Sequence, residues 1–164
     1  MALALGLEFP EQLAPRVRDE LEQLTAAIQT AINKIGSWVD VPTDGSAFTG
    51  SSAMTWTVEA GDQVNVRYML VNKTMFINVR VDSSTVGGTL SNILRMRLPN
   101  NFTVARSCSG PCLIYDNSSS TAVLGQMRAL KDGMLVEFIR FDTANYSAST
   151  NATSIVGQLA IEVL

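Results

Sequence analysis

Residues 64–81 read VNVRYMLVNKTMFINVRV, and the fold can be worked outward from that stretch. Apolar and polar residues alternate through 64–71 and again through 74–81, which is the period of a strand with one buried face. Between the two runs Asn72-Lys73 supplies a tight turn, because asparagine accepts the left-handed backbone that a two-residue hairpin needs. Upstream, MTWTVE at 54–59 sets Met54, Trp56 and Val58 against Thr55, Thr57 and Glu59. Downstream, NILRMRL at 92–98, CLIYD at 112–116, AVLGQMRAL at 122–130, MLVEFIRF at 134–141 and SIVGQLAIEVL at 154–164 are further strands, with Asp132-Gly133 marking a second hairpin. Eight or so strands at regular spacing, with no further helical pattern, predict a mainly β chain. Residues 39–164 are expected to form an antiparallel β-sandwich of jelly-roll type, a head domain that the strand ending at Leu164 completes.

The residues before this region differ in kind. From Glu11 to Ile35 the chain is built from Ala, Leu, Glu, Gln, Arg and Ile without glycine, so residues 11–38 are expected to form a helix that Gly36 closes. Ala14, Leu21, Ile28 and Ile35 repeat on one heptad position, and Val17, Leu24, Ala31 and Trp38 on the other. That spacing describes a coiled-coil stem whose oligomerisation residues are Val17, Leu21, Leu24, Ile28, Ala31 and Ile35, leaning towards three strands. A single helix packing on its own domain would show a similar stripe. Residues 1–10 are left as a short N-terminal attachment peptide. The opening MALALGLEFPEQ lacks the positive start of a secretory signal, and no window holds the roughly 18 apolar residues of a membrane span, so no membrane insertion is expected.

Composition narrows the function. Among 164 residues 46% are apolar and only 16% charged, the net charge is −3, and there is no histidine. A disordered chain is excluded, and no basic footprint for nucleic acid is present. Without histidine, Ser-His-Asp and Cys-His catalysis and His-ligated zinc fall together, so the chain is not expected to be an enzyme, and neither cofactor nor metal is expected. Cys108 and Cys112 read as two reduced thiols, or as a local disulfide if Gly110-Pro111 forms a turn between them. VGG at 86–88 reads as a flexible loop, and Asp40, Asp44, Asp62, Asp82, Asp116, Asp132 and Asp142 as turn residues. Five N-x-Ser/Thr sequons are attributed to a composition rich in Asn, Ser and Thr.

Two polar loops carry tyrosines. Tyr115, Asp116 and Asn117 open DNSSST, and Asp142, Asn145 and Tyr146 lie in DTANYSASTNATS. Loops at one end of a sandwich cluster, so these six residues are the candidate ligand-binding set, with the tyrosines as exposed contact surfaces. Ordinary loops have the same inventory.

The strings FTGSSAMTWTVEAGD, RYMLVNKTMFINV, TVGGTLSNILRMRLP, NNFTVARSCSGPCLIYDN and YSASTNATSIVGQLAIEV span roughly residues 45–164. Their order resembles the head domains of fibres and receptor-binding proteins in tailed-bacteriophage virions. The resemblance lies in overall pattern and includes no catalytic motif. It implies a homotrimer with a helical stem, a β-sandwich head, a place in the virion, contact with other virion proteins through the N-terminus, and attachment to a host-surface glycan. Capsid decoration, or a non-viral trimeric lectin-like module, is the alternative.

Overall fold

The computed structural model of the chain describes residues 15–34, 36–42 and 45–164, apart from the side chains of 32–34. It divides between Ser37 and Trp38 into a helical unit and a β unit. Helix α1 runs Pro15–Lys34. Thr25 and Thr30 return their hydroxyls to the carbonyls of Leu21 and Ala26, and Arg16 pairs with Glu20 one turn on at 3.1 Å. Gly36 adopts φ +75°, the left-handed cap expected of it. Because that cap turns the chain out of the helix, Trp38 leaves the heptad pattern and opens the first strand, four residues beyond the last helical one. Of the proposed seam, Val17, Leu24, Ile28 and Ala31 are exposed and Leu21 is half-buried. Ile35 and the 1–10 peptide lie outside the described residues.

The β unit contains ten strands: β1 Trp38–Asp40, β2 Phe48–Gly50, β3 Met54–Thr57, β4 Gln63–Val71, β5 Thr74–Gly88, β6 Ile93–Arg97, β7 Cys108–Tyr115, β8 Val123–Ala129, β9 Leu135–Arg140 and β10 Ser149–Glu162. All pairings are antiparallel, in the order β1-β4-β5-β10-β7-β8-β9-β6-β2, with β3 added against β5. Both hairpins form as expected. Val71 pairs with Thr74 across Asn72, whose φ is +54°, and β8 meets β9 across Asp132 at φ +63°.

The strands share one continuous hydrogen-bonded sheet rather than two separate layers. Long strands make this possible: β10, with 14 residues, pairs with β5 on one side and β7 on the other. The sheet curls until its arms face each other. Trp56 of β3 meets Phe48 of β2 edge-on at 5.1 Å and Phe138 of β9 at 5.7 Å, so side chains from distant places in the strand order close on one core. Met75, Ile77, Val79 and Val81 enter that core at alternate positions of β5, as do Leu94 and Met96 of β6. Three of its polar groups pair in series, Trp56 Nε1 donating to Ser84 Oγ at 2.8 Å and Ser84 Oγ to Thr153 O at 2.7 Å.

Two local expectations change. Residues 86–88 are not a loop: Gly87 and Gly88 end β5 opposite Thr55 and Met54, and a Cβ on Gly88, at φ +73°, would strike the Ala53 carbonyl. Gly110-Pro111 is likewise strand and not turn. Cys108 and Cys112 therefore stand four residues apart along β7, about 13 Å by strand rise, and both are free thiols. Burial pushes the Cys112 thiol up to about 12. Its neighbours across both ladders are glycines, Gly125 and Gly157.

Candidate functional site

The two tyrosine-bearing loops do meet. Ser118 N donates to Ala152 O at 2.6 Å, and the Asp116 carboxylate accepts from Ser147 N at 3.0 Å and Ser147 Oγ at 2.9 Å. Behind this contact lies Arg140, paired with Asp116 at 2.5 Å and with Asp142 at 2.6 Å. The Arg140 and Asp116 side chains retain only 10% and 8% of their exposure, so the pair is internal. Hydrogen bonding to Asp142 raises the Arg140 pKa, and the guanidinium holds the Asp142 carboxyl below its ordinary value.

The arrangement corrects one residue of the predicted ligand set, Tyr146, and engages Asp116 and Asp142 in ion pairs. Tyr146 is 1% exposed, its hydroxyl donating to Phe138 O at 3.2 Å and its backbone N to Ser91 O at 2.8 Å, with Arg140 stacked 5.8 Å from its ring centre. It is a core residue inside a polar-looking loop, and burial raises its pKa well above 10. Asp116 and Asp142 clamp the loops through Arg140. Asn117 and Asn145 remain exposed, Asn117 at φ +50°. Tyr115, half-buried at the end of β7, borders an open space.

That space is a cleft of about 560 Å³ on the outer side of β5, β10 and β7. Its floor follows the strand register, with Val156 between Arg80 and Leu113, and Ser154 opposite Tyr115. Asp82 lies on the same strand face as Arg80, its carboxylate 3.0 Å from Arg80 Nη2 and 3.1 Å from Nε. Ser118, Ser119, Asn151 and Ala152 complete the lining, joined through Ser118 N and Ala152 O. Both bordering strands are distorted there: Ser83 has φ +59° and Asn151 +49°, and β10 shifts register around Thr153. Such bulges re-aim side chains at a sheet rim. The distortions are held by hydrogen bonds, Ser83 N to Ser154 Oγ at 3.2 Å and Thr85 Oγ1 to Asn151 Oδ1 at 3.0 Å.

Arg80, Asp82 and Ser83 lie outside the loops singled out in the sequence; Asn151 and Ser154 lie within 142–154 but not among its named residues. The available signal was R-V-D at 80–82, two opposite charges at alternate positions on one strand face. Asp82 was instead assigned to a turn.

A lactococcal phage head domain matches. This chain is similar to the crystal structure of the head domain of phage bIL170, a receptor-binding domain of a lactococcal phage, at 16% identity and a TM-score of 0.45, over 79% of this chain and 99% of that one. No protein-family model and no curated protein matches the chain. Among the described residues no helix is long and apolar enough to cross a membrane, and no group of three or more Cys, Asp or Glu is placed to hold a metal.

Proposed function

We propose that the chain is a structural protein of a tailed-bacteriophage virion, a trimeric fibre or head fibre whose β unit attaches the particle to glycans on the host surface. The observation that carries the attachment part of this reading is the cleft. A tyrosine, a preformed Arg–Asp pair and several hydroxyls converge on a floor of sheet, which is the inventory of a recognition site and contains no nucleophile–base pair. On this reading the protein acts by binding.

The exposed stripe of helix α1 supports the same reading. Val17, Leu24 and Ile28 expose a heptad stripe that a lone helix leaves in water, and a three-stranded coil buries it. Three linked copies raise the avidity of weak sugar sites by orders of magnitude without a new contact. Residues 1–10 join the chain to other virion proteins.

Light scattering of the purified chain is expected to give the mass of three chains, and an antibody to the β unit to label virions and block adsorption. Labelled capsids with adsorption unimpeded would move the chain to capsid decoration. A monomer found on no particle would refute the proposal.

A further inference from the structure

We propose that the cleft selects uncharged sugars over anionic ones, and that Asp82 sets the selection. This deepens the glycan reading above and rests on it for its biological setting. The argument begins with charge. Of the residues lining the cleft only Arg80 and Asp82 are ionised, and they contact each other at 3.0 and 3.1 Å. An isolated arginine in a cleft attracts phosphate or carboxylate; here Asp82 Oδ2 already takes Nε and Nη2 of the guanidinium. An anionic ligand reaching the remaining Nη1 would lie beside Asp82, like charge against like charge. A neutral hydroxyl meets no such conflict. Asp82 has acceptor sites beyond those facing Arg80, and Arg80 Nη1 adds donors, so neighbouring hydroxyls of one sugar ring can donate to the first and accept from the second.

The floor fits the rest of such a ring. Leu113 and Val156 form an apolar strip beside the ion pair, and Tyr115 adds an aromatic wall. A pyranose carries the matching division, a C–H face and a hydroxyl-bearing edge. The cleft volume, about 560 Å³, lies within the usual range for small-ligand sites.

The test is calorimetric or saturation-transfer titration of the full chain with methyl glucoside, methyl galactoside, N-acetylglucosamine and rhamnose, each set against glucose 6-phosphate, glucuronate and N-acetylneuraminate. At least one neutral sugar is expected to bind, and every anionic one at least tenfold more weakly. Asp82→Asn frees the guanidinium and is expected to shrink that ratio about tenfold; Arg80→Gln leaves the carboxylate alone and is expected to widen it. Tyr115→Ala is expected to weaken both classes. Anionic sugars bound as tightly as neutral ones, or a ratio unmoved in whichever of the two charge variants folds, would overturn the proposal, as would a chain that labels host cells and binds none of these sugars. Sugar binding without cell labelling would instead defeat the attachment reading and leave this one standing.

Discussion

Arg140→Met removes the guanidinium and keeps most of the side chain's apolar stem. Asp116 would then hold its charge at 8% side-chain exposure with only the Ser147 N–H and hydroxyl to compensate it. Breaking a buried pair from one side costs about 3–5 kcal/mol, because a charge is left inside without its partner. For a chain of this size that corresponds to a fall of roughly 10 °C in Tm. Arg106→Ala is the matched control. It breaks the Arg106–Glu162 pair at 3.2 Å, whose side chains are 82% and 42% exposed, and exposed pairs contribute about 0–1 kcal/mol. Urea denaturation of both variants measures the contrast. Adding Asp116→Asn to Arg140→Met removes the stranded charge and is expected to recover part of the loss. An Arg140→Met variant no less stable than Arg106→Ala would refute the claim that this triad clamps the two loops.

Gly157→Ala places a methyl 2.5 Å from Met127 Sδ and 2.8 Å from Cys112 Cβ, and is expected to destabilise the chain by about 1–3 kcal/mol, read from its urea midpoint. With its pKa pushed up to about 12, Cys112 carries almost no thiolate at pH 8; a thiol reagent should modify half-buried Cys108 first and reach Cys112 only at the rate of unfolding. Asp142 is held below its ordinary 3.8 in the folded chain, so the unfolded chain takes up its proton first as pH falls. Its contribution is therefore fully present above the unfolded value and lost as pH drops through the folded one; Asp142→Asn should flatten that part of an acid-denaturation curve.

Most of the β unit was legible because its strands alternate cleanly and its turns use Asn72 and Asp132, residues that tolerate positive φ. Strands β1 and β2 were not, being only three residues long and defined by pairing with β4 and β6 rather than by their own pattern. The length of β5 was hidden as well. Gly87-Gly88 has the composition of a loop, and its place in the sheet comes from the close approach of Ala53 and Thr55. Periodicity shows which face of a strand is buried and says nothing of whether a sheet stays in two layers or curls as one.

Of the two tyrosines expected to be exposed, Tyr146 is buried, and the composition of its loop hides this for a comparable reason. Tyr146 sits among Asp, Asn and Ser, yet its loop folds back so that the ring fills the core and the hydroxyl finds Phe138 O. Tyr115 is the last residue of β7 and shares the cleft-facing side of that strand with Leu113. The proximity of Asp82 to Tyr115, separated by 33 positions, arises because β10 lies between β5 and β7, and pairing at that distance leaves no mark on local composition.

The most direct measurement is retention of the purified, fluorescently labelled chain on host cells before and after periodate oxidation of their surface glycans, with Tyr115→Ala as the comparison. Saturable labelling of untreated cells, lost on oxidised cells and reduced at least tenfold in apparent affinity by Tyr115→Ala, is the predicted result. Equal labelling of treated and untreated cells, or by parent and variant, would contradict glycan attachment through the cleft.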